Sequence, residues 1–188
     1  MAGGNLNDRG FHVALLRGIN VGGKNKLPMK QLVSMFEAAG CVAVRSYIQS
    51  GNVAFQAEPE LAGQVPEIIR QQIAEQLGFQ IPIVTRTAAE VATIVRANPF
   101  LGPDVDEKTL HVAYLADQPG AAEIAALDRD RSPSDEYRVL GREIYLHCPK
   151  GLARTKLTNA YFDSKLATTS TIRNWRTTLK LLEMTAVS

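Results

Sequence analysis

Cysteine and histidine are scarce in this chain of 188 residues, which has two of the former and three of the latter. Cys41 and Cys148 supply neither a disulfide framework nor the spacing of a metal site, so we expect no metal and no cofactor. Cys148 follows His147, but neighbouring residues of a strand point to opposite faces, which argues against a nucleophile–base pair. The scarcity of cysteine is typical of a reducing, cytoplasmic setting.

Long apolar runs are also missing. The chain is 45% hydrophobic, which is enough for a substantial core, but no run approaches the ~20 residues of a membrane-spanning helix. The first ten residues lack the charged and apolar regions of a signal peptide, and residues 1–10 are predicted to be a flexible tail. We therefore expect no membrane partner.

Acidic residues are absent from residues 9–36, which carry five basic ones. Residues 149–188 have seven basic residues against two acidic, whereas residues 37–148 have nine basic against sixteen acidic. If the two basic ends meet in the fold, they form one positive surface on an otherwise acidic protein. The alternative is that solvated cations are scattered over separate faces.

Apolar spacing and turn residues predict the order β-α-β-β-α-β in the first half of the chain. The first helix begins at Pro28, which fits the first helical position, and ends at Gly40. Pro66 is predicted to open the second helix. The predicted strands are 11–19, 42–48, 52–56 and 81–85. This order is typical of ferredoxin-like domains.

The second half follows a polar loop, 102–107, which is the expected boundary. Before that loop, the capping box Thr87-Ala88-Ala89-Glu90 predicts a helix. After it, the pattern predicts a strand at 109–116, a short helix from Pro119, a hairpin around Gly141, and two helices at 153–165 and 171–184.

A weak internal repeat links the halves, because Tyr47, Gly51 and Phe55 recur as Tyr137, Gly141 and Tyr145. Hairpins in general place glycine in the turn and aromatics on the strands, which is the alternative explanation. The predicted fold class is α+β, with two similar ferredoxin-like α/β subdomains and mainly antiparallel sheets. The subdomains are expected at 11–98 and 99–188, the second with C-terminal helices.

Residues 18–25, Gly-Ile-Asn-Val-Gly-Gly-Lys-Asn, nearly match the phosphate-binding P-loop. Asn25 stands where that motif needs a hydroxyl group, and the helix is predicted to begin at Pro28 rather than at the Gly-Lys pair. A nucleotide-hydrolysing P-loop is therefore not expected. Looser phosphate binding by Lys24 and Lys26 stays open.

The candidate site combines two polar loops with segments near the C-terminus. Arg17 is suited to bidentate contact with a carboxylate or phosphate, and lysines add point charges. Asn20 and Asn52 would supply amide groups, although asparagine also stabilises turns without any ligand. Ser50 is the one candidate nucleophile, without an evident base. The predicted ligand-binding residues are Arg17, Asn20, Lys24, Lys26, Ser50, Asn52, Lys150, Arg154, Lys156, Arg173 and Asn174.

Three blocks of this sequence resemble a known family. They are residues 14–23 (ALLRGINVGG), 47–53 (YIQSGNV) and 171–181 (TIRNWRTTLKL), with supporting similarity at 145–151 and 156–159. The blocks are similar to those of the bacterial family called domain of unknown function 1697. The resemblance implies a small cytosolic α+β protein of two similar subdomains, and it implies no activity.

The residues leave three classes of function open. The preferred one is binding of a small phosphorylated or carboxylated ligand in a basic cleft, with catalysis undecided. The second is an RNA- or DNA-binding module, although an RNA-binding signature is missing, aromatics are only 6% and the net charge of +2 is modest. The third is a structural or protein-interaction domain. No pattern specifies an oligomeric state.

Overall fold

The structure, a computed structural model, describes residues 9–186. The predicted tail of residues 1–10 lies almost wholly outside the described residues. The elements of the first half are β1 (Gly10–Leu16), α1 (Met29–Ala38), β2 (Val42–Tyr47), β3 (Asn52–Ala57), α2 (Pro59–Leu77), β4 (Ile83–Thr87) and α3 (Ala88–Arg96).

The second half repeats this order. Its elements are β5 (Leu110–Leu115), α4 (Ala121–Ala125), β6 (Glu136–Leu140), β7 (Glu143–His147), α5 (Asn159–Leu166), β8 (Ser170–Asn174) and α6 (Trp175–Thr185). Short 3₁₀ turns occupy Glu107–Thr109 and Leu152–Arg154.

Each half forms a four-stranded antiparallel sheet. The strand orders are β2-β3-β1-β4 and β6-β7-β5-β8, so the first strand of each half lies between its third and fourth strands. His12 lies opposite both Phe55 and Thr87, and His111 in the second sheet lies opposite both Leu146 and Asn174. These two similar sheet subdomains confirm the predicted α+β fold.

One face of each sheet packs against helices. In the first half, Phe55 of β3 meets Phe36 of α1 at 5.2 Å between ring centroids, within a cluster that includes Ile69 of α2. In the second half, Leu146 of β7 shares a cluster with Phe162 of α5. Complete burial of an apolar side chain of this kind contributes ~1.5–3 kcal/mol, so these clusters hold the helices on their sheets.

The first helix has the bounds that its sequence predicts. Pro28 directly precedes α1, and the N–H group of Leu32 donates to the carbonyl of Pro28 at 3.0 Å. Gly40 follows the last turn with φ of +96°, a left-handed conformation that glycine adopts without steric cost. Spacing, proline and glycine therefore agree on this element.

The prediction that Pro66 opens the second helix is wrong. α2 begins at Pro59, and Pro66 lies inside the helix. An internal proline removes one helical hydrogen bond, which ordinarily breaks a helix. Here the buried residues Val65, Ile69 and Ile73 anchor the helix on both sides of the missing bond. Tertiary packing therefore overrides the local signal.

The predicted C-terminal helices are also corrected. Residues 171–174 belong to strand β8, which pairs with β5, and α6 begins only at Trp175. The β-branched Thr171 and Ile172 favour the strand. The helix predicted at 153–165 is shorter, because Thr158 caps α5 by accepting a hydrogen bond from the N–H group of Tyr161.

Residue contacts divide the described chain into two compact units. Unit 1 consists of residues 9–91 together with 181–186, and unit 2 consists of residues 92–180. Within unit 1, Nη2 of Arg45 on β2 donates to the carbonyl of Met184 at 2.6 Å. The end of α6 is thereby tied to the first sheet.

Candidate functional site

The loop between β1 and α1 contains a tight turn at Gly22 and Gly23. Their φ angles are +58° and +75°, and the N–H group of Lys24 donates to the carbonyl of Val21 at 3.0 Å. Two consecutive positive φ angles are the requirement of a type I′ turn, which glycine meets most easily. The turn presents Lys24 on an exposed loop.

Asn20 braces this loop from inside. Its Oδ1 accepts a hydrogen bond from the N–H group of Leu27 at 2.9 Å, and its Nδ2 donates to the carbonyls of Leu27 at 2.9 Å and Gln49 at 3.0 Å. Asn25 adds a bond from Nδ2 to the carbonyl of Gly18 at 2.9 Å. Asn20 therefore joins the basic loop to the β2–β3 hairpin, which is the turn-forming role left open for it by the sequence.

The β2–β3 hairpin packs tightly against the end of β1. Gly51 has φ of +76°, and a Cβ atom added there would lie 2.7 Å from Cβ of Leu16 and 2.9 Å from Cδ1 of Ile19. The N–H group of Leu16 donates to the carbonyl of Gly51 at 2.8 Å. Glycine is thus required at this position both by conformation and by space.

Asn52 is fully buried at the start of β3. Its Nδ2 donates to Ser50 Oγ at 2.9 Å and to the carbonyl of Tyr47 at 3.2 Å. These bonds shape the hairpin and orient the half-buried Ser50. Asn52 therefore supports the turn from within the fold rather than lining its surface.

Cationic residues precede and begin α1 in the sequence. Lys24, Lys26 and Lys30 are exposed, and the half-buried Arg17 is fixed at the end of β1, where its N–H group donates to the carbonyl of Pro82 at 3.0 Å. α1 has no side-chain cap and no acidic residue in its first turn. Its first backbone N–H groups carry a partial positive charge, which adds to that of the lysines.

Each of the other α-helices in the described part of the chain has a side-chain cap or an acidic residue in its first turn. Thr87 caps α3 by accepting from the N–H group of Glu90, and the Glu90 carboxylate accepts from the N–H group of Thr87. Thr158 caps α5 and Asn174 caps α6. The predicted capping box at Thr87 is confirmed, and the start of α1 stands out as positively charged.

The predicted residues of unit 2 occupy two different environments. Lys150, Arg154 and Lys156 are exposed around a 3₁₀ turn. Arg173 is buried on β8, where Nη1 donates to Thr171 Oγ1 at 2.8 Å and to the carbonyl of Ile172 at 3.0 Å. Burial lowers the pKa of Arg173 to about 10, an effect that the nearby Tyr114 opposes. Asn174 caps α6, because its Oδ1 accepts a hydrogen bond from the N–H group of Thr177 at 2.8 Å.

The structure thus brings Asn20, Ser50 and Asn52 together with the basic loop in unit 1. Convergence of that loop with the predicted residues of unit 2 stays a prediction.

Burial changes the pKa values of both cysteines and of two histidines. Burial raises the pKa of both Cys41 and Cys148 to about 11, so their thiols are protonated at neutral pH. Burial lowers the pKa of His12 and His111. Over residues 9–186, no group of three or more His, Cys, Asp or Glu side chains is arranged to hold a metal ion.

One feature of unit 2 gave no sequence signal. A groove of about 770 Å³ lies between α4 and β6. Its lining alternates along β6, with Tyr137 and Val139 half-buried and Glu136 and Arg138 exposed. The groove exists because α4 is only five residues long, and the sequence marked the helix but not its effect on the cover of the sheet.

Comparisons with known proteins match one family model and one solved structure. The model of DUF1697, described as a protein of unknown function, matches residues 11–145. The conserved bacterial protein SP0830 from Streptococcus pneumoniae has a similar structure, with a TM-score of 0.70 and 22% identity over 95% of this chain and 99% of that one. No curated protein sequence matches the chain. In the described part of the chain, no helix has the length and apolar character needed to span a membrane.

Proposed function

The chain belongs to the DUF1697 family, whose name assigns no activity, and we propose that it binds a small phosphorylated or carboxylated ligand at the β1–α1 loop. The carrying observation is the positively charged start of α1. Exposed Lys24, Lys26 and Lys30 accompany a helix N-terminus that has neither a side-chain cap nor an acidic residue in its first turn. Such an N-terminus is suited to an anion.

The rigidity of the loop supports binding. Asn20 and Asn25 use their amide groups to fix the loop to itself and to the hairpin. A loop that is already ordered loses little conformational entropy when a ligand arrives, so more of the interaction energy appears as affinity. The amides therefore hold the cations in place, and the cations contact the ligand.

A small anion fits this geometry better than a polynucleotide stacked on the sheets. RNA-binding sheets of this topology use exposed aromatic rings on their central strands. Here Phe55, Tyr114 and Tyr145 are buried on central strands. Binding also fits better than catalysis, because the hydroxyl of Ser50, the one candidate nucleophile, accepts a hydrogen bond from Asn52 within the turn.

The test is a titration with inorganic phosphate, pyrophosphate and a short single-stranded RNA. Thermal unfolding at low and high salt measures the binding of each. Lys24→Gln and Lys26→Gln should each weaken phosphate binding about threefold to tenfold, since one charge-assisted contact is worth ~1 kcal/mol. Added salt should weaken phosphate binding to the wild type as well, because salt screens the attraction between exposed charges, over ~8 Å at physiological ionic strength.

Lys165→Gln is the matched control. Lys165 is exposed on α5, and its substitution removes the same charge from unit 2. Equal losses of phosphate binding in all three variants would mean that only the net charge of the protein matters, which would contradict the proposal. Stabilisation by RNA alone would favour the nucleic-acid module instead. A triple variant of Lys150, Arg154 and Lys156 to Gln tests whether those residues act on the same ligand.

A further inference from the structure

Two loops of unit 1 expose apolar side chains. Val21 in the β1–α1 loop is 66% exposed and Ile48 in the β2–β3 hairpin is 51% exposed, the highest values among the large apolar residues of the described chain. The loops are joined, because Nδ2 of Asn20, next to Val21, donates to the carbonyl of Gln49, next to Ile48, at 3.0 Å. The basic face of unit 1 consists of these two apolar residues with Lys24, Lys26 and Lys30.

The positive charge of the basic face is not compensated. Val21 and Lys24 lie opposite each other across the glycine turn, which places an aliphatic and a cationic side chain side by side. Within residues 9–186, no ion pair engages any of the three lysines. Gln76 of α2 contacts α1, and the adjacent Glu75 brings one negative charge against three positive ones. The face is therefore suited to an anionic partner that also has apolar surface.

Residues 101–107, the acidic loop of unit 2, have the opposite charge and a matching apolar residue. Leu101 is 46% exposed. The exposed acids of the loop are Asp104, Asp106 and Glu107. In the described part of the chain these acids take part in no ion pair, and Lys108, the next residue, offsets one of their three charges. The loop is ordered, because Oδ1 of Asp106 accepts a hydrogen bond from the N–H group of Lys108 at 3.0 Å.

We propose that the protein associates with a second copy of itself, with the basic face of one copy on the acidic loop of the other. In this contact Leu101 packs against Val21 and Ile48, and the acids of the loop pair with the lysines of the face. A protein partner is favoured over a polynucleotide, because bases stack on aromatic rings or guanidinium groups and the exposed residues here are aliphatic. The two copies contribute different surfaces, so the contact is heterologous.

This inference goes beyond the proposed function, because it depends on the apolar residues and on the acidic loop as well as on the lysines. The experiment is sedimentation equilibrium of the whole protein over a wide range of concentrations. At low salt the weight-average mass should rise with concentration, and at high salt the association constant should fall about tenfold or more, because salt screens the paired charges. A protein that stays monomeric at every concentration would overturn the proposal.

Charge reversal tests the pairing of the two surfaces. Lys24→Glu combined with Lys26→Glu, and Asp104→Lys combined with Glu107→Lys, should each weaken self-association about tenfold or more, because like charges then face each other. An equimolar mixture of the two double variants should associate again, since each then carries the complement of the other. A mixture that stays monomeric, with both variants folded by circular dichroism, would overturn the proposal.

Two matched controls separate the contact from general effects. Lys150→Glu combined with Lys165→Glu changes the net charge as much as the lysine variant does, but on exposed residues of unit 2, and should leave self-association unchanged. Leu101→Ser should weaken it about fivefold or more through lost apolar burial. Leu140→Ser, at an equally exposed leucine on β6, should have little effect. Equal effects of the controls and the contact variants would contradict the proposed surfaces.

Discussion

The two units share an element order and a strand order, and they differ in what covers and connects their sheets. In unit 1, α1 and α2 have 10 and 19 residues, whereas α4 and α5 in unit 2 have 5 and 8. The loop after the first strand is long and basic in unit 1, and the equivalent connection in unit 2, residues 116–120, is short.

The units differ in the segments that connect their strands rather than in the order of the strands. The strands keep equivalent positions: Arg86 on β4 and Arg173 on β8 are both buried, and each donates to the carbonyl of the preceding residue. The connection after the first strand differs between the units. It carries a cationic loop in unit 1, and in unit 2 it contains the short helix α4 beside the groove, so the two features lie at the same step of the topology.

Substitution of the hairpin glycines should give the largest difference in stability between the two units. Gly51→Ala should lower the free energy of unfolding by ~3 kcal/mol or more, because it combines left-handed strain with overpacking against Leu16 and Ile19. Gly141→Ala should cost only ~1 kcal/mol, since the nearest atom to its added Cβ is 3.9 Å away. Urea unfolding measures both. Equal losses would mean that the two turns are constrained alike.

The buried cysteines provide one alkaline probe in each unit. Burial raises the pKa of Cys41 and Cys148 to about 11, from 9.0 in the unfolded chain. Because the folded state holds these protons more tightly, the stabilisation is complete below pH 9 and is lost as the pH rises towards 11. Each thiol should contribute ~2 kcal/mol to this loss.

Stability curves of Cys41→Ala and Cys148→Ala between pH 8 and 11 measure the two contributions. Each variant should show a shallower decline than the wild type, by a similar amount. An unchanged slope for Cys148→Ala alone would show that water reaches the thiol of the thinly covered unit 2.

The helix caps should give the smallest effects and show the units at their most similar. Thr87→Ala and Asn174→Ala should each cost ~1 kcal/mol, because each side chain satisfies an otherwise unpaired N–H group. Thr87→Ser and Asn174→Ser keep a capping oxygen and should retain most of the stability that the alanine variants lose. Thermal unfolding measures this series. Loss of stability in Asn174→Ser would point to a contact of Asn174 beyond the cap.

Local patterns predicted the elements whose stabilising interactions are themselves local. Pro28, the apolar spacing of α1 and Gly40 all act within a few residues, and the predicted bounds are confirmed. The sequence of β8 is compatible with either helix or strand, and pairing with β5 decides between them. Asn174, a residue typical of helix caps, was the available signal for the true start of α6.

The candidate site was predictable in composition but not in the roles of its members. Sequence alone places Asn20 among lysines, and only the fold shows its amide bound to Leu27 and Gln49. Asn52 and Arg173 are buried by strands that pair across long sequence separations. The groove could not be predicted, because it results from the missing length of a helix rather than from any residue present.

The tie between Arg45 and Met184 has a consequence for biosynthesis. Residues 181–186 complete the unit whose strands begin at residue 10. During translation those residues emerge after all of unit 2, and a domain can fold as soon as its own segments have left the ribosome. Unit 1, which is synthesised first, is therefore completed last. Unit 2 can fold before residues 181–186 of unit 1 have been synthesised.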